Sequence, residues 1–234
     1  MGTGSRRTML GRVMKEKRTD VSESGYDRLA KIYWLIEWTL FGGDLQRART
    51  CLLDTLPQCK RMLILGDGDG RYLKEFVRIQ SASEVTSVDQ SGVMIERQVA
   101  SVNSLSCNPS IEWVHDDAKK LKFPKGEFDG LSMLFFLDCF RADEVREILP
   151  RFLGWVAPGG VIHFVDFQEP AAGWWRLRGR LYLKLMHWFF GWQTGLENRK
   201  LVNFREEFNR LSVSLVAERV TCKGLIRSSI YRVE

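Results

Sequence analysis

The hydrophobic positions of this chain change period several times, and each change marks an element. From Tyr26 to Phe41, Leu29, Tyr33, Ile36 and Leu40 recur every three or four residues, the spacing of one helix face, and Gly42-Gly43 ends the pattern. A second helical stretch runs from about Leu45 to Thr55, closed by Pro57. Met62-Leu63-Ile64-Leu65 is an unbroken apolar run of strand length. It feeds Gly66-Asp67-Gly68-Asp69-Gly70, after which Leu73, Phe76 and Val77 return to helical spacing. Further strands are predicted at Val85–Val88, Ile111–His115, Gly130–Phe135 and Val161–Val165, with helices from Ser91 and over about Ala142–Trp155. Val213–Thr221 and Leu225–Val233 flank Lys223-Gly224 and read as a terminal β-hairpin. Strands alternating with helices predict an α/β fold: a mostly parallel seven-stranded sheet with helices on both faces and a C-terminal antiparallel hairpin.

The glycine turn is where this pattern acquires chemistry. Glycine lets the backbone turn tightly and lets a ligand approach it, and a helix opening there points its free N–H groups into the crevice. A dinucleotide-binding turn reads G-x-G-x-x-G, but the third small position here is Arg71 and the third glycine comes early, at Gly70. The pattern is G-x-G-x-G. A tight turn without a ligand would use the same glycines, so the downstream sequence matters. Asp89 ends the second strand, about 20 residues on, where an acidic side chain can accept hydrogen bonds from both hydroxyls of a ribose. Asp116-Asp117-Ala118 follows the third strand, and Pro158-Gly159-Gly160 precedes the fifth.

In that order, these features resemble the Rossmann-like S-adenosylmethionine-dependent methyltransferases. The resemblance covers roughly residues 26 to 170, and the rest by topology only. In length and in the Tyr26-Asp27 segment the chain is similar to the ubiquinone/menaquinone-biosynthesis C-methyltransferases. The resemblance implies S-adenosyl-L-methionine as cofactor, with Gly66, Asp67, Gly68 and Gly70 at its methionine end and Asp89 on the ribose. Gln90 and Met94 would lie beside the adenine, Asp117 and Ala118 at its edge, and Tyr33 over the methionine carboxylate, although a core tyrosine explains Tyr33 equally. One position departs from the family. An acidic residue usually stands two places before the first glycine, where this chain has Ile64. The methionine amino group is then left to the turn, to Asp67 before Asp69, or to backbone carbonyls.

Methyl transfer is an in-line displacement that depends on positioning and exclusion of water. A carbon or oxygen acceptor also needs a base. Asp138, just beyond the fourth strand, and Asp166, at the end of the fifth, are the catalytic candidates; a helix cap or loop role explains Asp138 as well. His163, inside the fifth strand, reads as a sheet histidine, and His115 as structural or near the adenine. Cys139 has no histidine partner in sequence reach.

Composition sets the remaining bounds. The 234 residues are 44% hydrophobic and 27% charged, with a formal charge of +6, enough for one globular domain with a core. No run of about 18 apolar residues suggests a membrane span, and residues 1–20 are basic without the apolar stretch of a signal peptide. They read as a disordered basic tail, followed by a single methyltransferase domain over 21–234 with an N-terminal helical cap (26–55). The five cysteines are scattered without metal-ligand spacing. They read as free thiols in a reducing, cytoplasmic compartment, and no metal is expected. Residues 174–192 (WWRLRGRLYLKLMHWFFGW) hold four of the eight tryptophans. On a helix, Arg176, Arg180, Lys184 and His187 form a narrow basic stripe opposite a broad apolar face. A cover helix without further role is one reading; a wall of the acceptor pocket is the other, built with Trp34, Phe135, Trp188 and Trp192. The expected acceptor is then apolar or amphiphilic, quinone- or lipid-like, with a peripheral membrane surface as a second partner of the stripe. A nucleic-acid methyltransferase is disfavoured, because no Asn-Pro-Pro-Tyr-like motif follows the fourth strand. A binding protein that has kept the fold but lost the reaction is the alternative that Ile64 motivates. Neither the oligomeric state nor the acceptor atom follows from the sequence.

Overall fold

The computed structural model describes residues 43–80, 83–105, 109–168 and 202–234. The basic tail, the expected helix over 26–41 with Tyr33 and Trp34, and the aromatic stretch 174–192 with Trp188 and Trp192 lie outside the described residues. Within them the elements run α1 (Asp44–Thr50), β1 (Arg61–Leu65), α2 (Arg71–Ile79), β2 (Glu84–Asp89), α3 (Gly92–Asn103), β3 (Ser110–His115), β4 (Phe128–Leu134), α4 (Ala142–Gly154), β5 (Val156–Phe167), α5 (Phe204–Asn209), β6 (Val213–Thr221) and β7 (Ile226–Val233).

The strands form one seven-stranded sheet in the order β3-β2-β1-β4-β5-β7-β6. The five strands from β1 to β5 are mutually parallel; β7 is antiparallel to β5, and β6 to β7. The expected Rossmann-like α/β architecture is what the chain adopts. β1 sits between two parallel neighbours, and its Met62, Leu63, Ile64 and Leu65 are completely buried. That is why it reads as a continuous apolar run instead of an alternating one. Met62 and Ile64 face one layer with Leu45 and Ala48 of α1 and Tyr72, Leu73 and Phe76 of α2. Leu63 and Leu65 face the other, with Val145, Ile148, Leu149 and Phe152 of α4 and Phe208 of α5.

Two local differences from the sequence pattern have simple causes. The second helical stretch is two pieces, α1 and a short 3-10 turn over Leu53–Thr55. Pro158-Gly159-Gly160 does not precede β5 but lies inside it, where the pairing with β4 shifts register between Phe128 and Gly130. Gly159 is left-handed (φ +79°), and a Cβ on Gly160 would stand 2.8 Å from the Ala157 carbonyl oxygen and 2.9 Å from that of Asp129. The glycines thus serve a bulge within the strand.

A polar chain crosses the layer beneath α2. The Tyr72 hydroxyl lies 2.8 Å from Ser132 Oγ on β4 and 3.0 Å from His163 Nδ1 on β5. His163 is completely buried, its Nε2 has no hydrogen-bond partner, and burial depresses its pKa to about 3. It is the sheet histidine that its place in the strand predicts. Because the folded state cannot protonate His163 where the unfolded chain does, its contribution to stability is complete above about pH 6.5 and is lost as pH falls toward 3. Urea titrations of the wild-type protein and His163→Gln should differ by a constant amount above about pH 6.5. Below it the difference should move in favour of the variant by up to about 1.4 kcal/mol per pH unit. An unchanged difference across that range would refute a neutral, buried His163.

Candidate active site

The strand order reverses between β1 and β4, the place at the carboxyl ends of the strands where an open α/β sheet leaves a crevice for a ligand. β1 ends at its floor, and the turn that follows is built from three left-handed glycines, Gly66 (φ 66°), Gly68 (φ 63°) and Gly70 (φ 82°). They serve two purposes. A Cβ on Gly66 would come 2.5 Å from Phe136 Cδ2, and one on Gly70 would come 2.8 Å from Gln98 Cα, so these two let other elements close in. A Cβ on Gly68 would meet nothing within 4 Å. That glycine keeps the backbone open on the side where a ligand can approach.

The two aspartates of the turn have different environments. Asp69 is part-exposed and binds Arg71 Nε at 2.9 Å. Asp67 is buried; its Oδ2 accepts the Leu73 N–H at 2.9 Å, and its Oδ1 has no hydrogen-bond partner among the described residues. Burial raises the Asp67 pKa to about 7, against the lowering effects of the Leu73 and Tyr72 amides and the charge of Arg49. Ile64, at the family's usual acidic position, is completely buried in the layer formed with α1 and α2.

Across the crevice floor, Asp89 ends β2. Its Oδ1 accepts the Ser91 N–H at 2.9 Å, and Ser91 in turn caps α3 through Oγ and the Met94 N–H. Gln98 of α3 ties this carboxylate to the glycine turn. Its Nε2 donates to the Gly68 carbonyl at 3.0 Å and makes a longer 3.5 Å contact with Asp89 Oδ2, while its Oε1 accepts the Ser87 hydroxyl at 2.7 Å. The Gln90 carbonyl lies 3.1 Å from His115 Nε2. Asp117 shapes the turn after β3 by accepting the Lys119 N–H at 2.9 Å, and Ala118 is buried in the adjoining core. Gly66, Asp67, Gly68, Gly70, Asp89, Gln90, Met94, Asp117 and Ala118 therefore all lie at the carboxyl ends of β1, β2 and β3 or in the turns and helix that follow.

The fourth and fifth strands supply a second wall. Phe135 is left-handed (φ 51°), an uncommon conformation for a bulky side chain. Its N–H donates to the Val165 carbonyl at 2.7 Å, and its ring packs 5.0 Å from that of Phe167. The Arg49 guanidinium stacks 5.0 Å from the same ring. The one-turn helix beyond carries Asp138, whose backbone N–H donates to Asp166 Oδ2 at 3.2 Å. Burial raises the pKa of Asp138 to about 6 and lifts that of Asp166 well above the usual range, where the nearby Asp138 charge adds to the effect. Burial thus holds both carboxyls toward their neutral forms, and the charge of Asp138 holds Asp166 further that way. The Cys139 thiol, 3.7 Å from Asp138 Oδ1, is raised by the same burial and carboxylates, away from a nucleophilic thiolate.

Sequence reasoning missed Arg49, Gln98 and Phe136. Gln98 left a signal, since it occupies a buried helical line with Met94 and Val102 where an apolar residue fits. Arg49 left a similar one beside Leu45 and Ala48. Phe136 left none, because only the fold places it against Gly66.

Residues 62–160 match the family model described as a methyltransferase domain. Among solved structures, N-methyltransferase NodS from Bradyrhizobium japonicum, in complex with S-adenosyl-L-homocysteine, superposes with a TM-score of 0.63 at 13% identity, over 92% of this chain and 99% of that one. An O-methyltransferase family 2 protein from Planctomyces limnophilus, complexed with apigenin, gives 0.68 at 14% identity, over 92% and 65%. The domain match and the sheet order support a Rossmann-like, S-adenosylmethionine-dependent methyltransferase. Within that class it is similar to a demethylmenaquinone methyltransferase of Thermus thermophilus, 28% identical over 172 residues that make up 71% of this chain and 74% of that protein. It is also similar to the ubiquinone/menaquinone biosynthesis C-methyltransferase of Pseudomonas paraeruginosa, 27% identical over 161 residues, 67% of this chain and 61% of that one. No helix among the described residues is long and apolar enough to cross a membrane.

The residues present fit the cofactor of this class. The open side of Gly68, the unpartnered Asp67 Oδ1 and the carboxylate of Asp89 lie on connected elements that Gln98 holds together. Replacing that amide by an apolar side chain of similar shape should show its weight. Gln98→Met leaves the Ser87 hydroxyl and the Gly68 carbonyl without it, and the urea midpoint should fall by the equivalent of about 1–3 kcal/mol. An unchanged midpoint would mean that the turn does not need Gln98.

Proposed function

We propose that this methyltransferase acts on an apolar or amphiphilic small molecule of quinone or lipid type. The observation that carries this reading is the similarity to two quinone-biosynthesis methyltransferases over 67–71% of the chain. The aromatic stretch 174–192 supports it as the sequence's candidate for an acceptor wall, with Trp34, Phe135, Trp188 and Trp192 lining the pocket. The basic stripe of Arg176, Arg180, Lys184 and His187 then serves an anionic headgroup or membrane surface.

In this reading the glycine turn holds the methionine end and Asp89 takes the ribose hydroxyls. Gln90, Met94, Asp117 and Ala118 surround the adenine, and Tyr33 closes over the methionine carboxylate. When bound, S-adenosylmethionine supplies a methyl group on a positively charged sulfur, open to in-line attack. The protein's part is to fix the acceptor in line and to keep water out. The ionised member of the Asp138–Asp166 pair accepts the proton that a carbon or oxygen acceptor gives up. Its raised pKa suits a base working near neutral pH.

Two experiments test this reading. Calorimetry with S-adenosylhomocysteine should show Asp89→Ala binding roughly tenfold to a hundredfold more weakly than wild type. Unchanged affinity would remove Asp89 from the site. For the acceptor, incubation with labelled S-adenosylmethionine and a demethylated quinone should move label into the organic phase. Asp138→Asn should slow that transfer by about 10²-fold or more while leaving S-adenosylhomocysteine affinity within twofold. Full transfer by the variant would exclude Asp138 as the base, and label appearing only in added nucleic acid would overturn the acceptor class.

A further inference from the structure

Asp138 and Asp166 are close to each other but sit in unequal places. Asp166 is 1% exposed, and both of its oxygens are committed to backbone amides: Oδ1 accepts the Phe167 N–H at 2.8 Å and Oδ2 the Asp138 N–H at 3.2 Å. Asp138 is partly exposed, on the one-turn helix Leu137–Cys139. Two successive residues of β5 thus hold the chain that leaves β4. The Val165 carbonyl accepts the Phe135 N–H at 2.7 Å, and the Asp166 side chain accepts the N–H of Asp138, three residues on. Between them the left-handed Phe135 turns the chain away from the β4–β5 ladder, whose last pair is Leu134 with Val165. The Asp166 carboxyl continues by side chain what the ladder no longer supplies. A carboxyl keeps acceptor capacity on both oxygens, protonated or not, whereas Asn has one acceptor oxygen for two N–H groups.

We propose that Asp166 is a positioning residue: it fixes the one-turn helix after β4 so that Asp138 alone meets the acceptor as its base. The assignment rests on the base proposed above and deepens it by dividing the work of the pair. When the acceptor's carbon or oxygen takes the methyl group and the sulfonium becomes a neutral thioether, the acceptor's proton passes to an Asp138 oxygen. Asp166, closed off from the crevice, does not reach that proton. The surrounding charges agree with this order. Burial raises Asp138 to about 6 and Asp166 further, and the Asp138 charge adds to the difference, so Asp138 ionises first. The Cys139 thiol donates to Asp138 Oδ1 at 3.7 Å and favours its ionised form, while the charge of Asp89 acts on that thiol. The cation of this wall, Arg49, lies over the Phe135 ring. A misplacement of about 1 Å can cost about 10²-fold in rate, so a tether on the base should show in turnover.

Two measurements test the division, and the first needs neither an acceptor nor a variant. In residue-assigned carbon NMR of the wild-type protein, the Asp138 carboxyl should titrate near pH 6, with Asp166 still protonated there. The Asp138 amide should also be protected from hydrogen exchange. Asp166 ionising first, or an Asp138 amide that exchanges as fast as an exposed one, would overturn the proposal. The second measurement follows methyl transfer from labelled S-adenosylmethionine to a demethylated quinone across pH 5 to 9. Asp166→Asn should lower the kcat plateau by about tenfold to a hundredfold. The KM for the quinone and the affinity for S-adenosylhomocysteine should stay within twofold, and the rise of kcat with pH should stay near 6. Loss of that rise from Asp166→Asn would make Asp166 the base. An unchanged kcat, or a fall no greater than the loss of folded protein, would leave Asp166 without a positioning role. A wild-type protein that leaves the quinone unlabelled would overturn the acceptor class instead, and the carbon NMR and amide exchange would still decide between Asp138 and Asp166.

Discussion

The burial of β1 on both faces is the constraint on which this molecule depends. Four consecutive apolar residues can be covered only by helices on each side and by a strand on each edge. Once β1 occupies the middle, the chain leaving Leu65 emerges where the strand order reverses, the point at which neighbouring connections part. The glycine turn inherits its position from that. Leu63 and Leu65 are therefore as much a part of the site as Gly68, although they touch no ligand.

Several polar groups around the crevice share a second property: burial outweighs the hydrogen bonds that favour their charged forms. Asp67, Asp138 and Asp166 are all held toward their neutral forms, and His163 beneath them is held neutral as well. Such placements cost stability at any pH where the unfolded chain would carry the charge. The three aspartates lie where a charged ligand and a proton transfer could use them, the pattern expected of a site shaped by function.

Most of the fold was legible because its signals are local. β-branched and apolar runs, helical spacing and the hairpin around Lys223-Gly224 place the strands within a residue or two, except β5, which begins five residues before the expected Val161. Asp89 was legible because its distance from the glycines reflects one strand-helix-strand unit. What the sequence could not show depends on contacts between distant segments. The Gln98 amide spans from α3 to the turn and to β2, and Arg49 comes from a helix that precedes the whole sheet. The Pro158-Gly159-Gly160 bulge needs the β4 backbone beside it before it is anything but a turn. The meeting of Asp138 with Asp166 likewise appears only when β4 and β5 are paired.

The strand order has a consequence for how the protein is made. β7 follows β6 in the chain but lies between it and β5, pairing Val161–Phe167 with Ile226–Arg232. Until a ribosome has delivered those residues, β5 stands as an open edge of Val161, Ile162, Phe164, Val165 and Phe167 beside an already formed parallel half. An unpaired apolar edge of this kind recruits other strands. The nascent chain is exposed to aggregation until β7 has been made, with its cofactor crevice laid out and its sheet still unclosed.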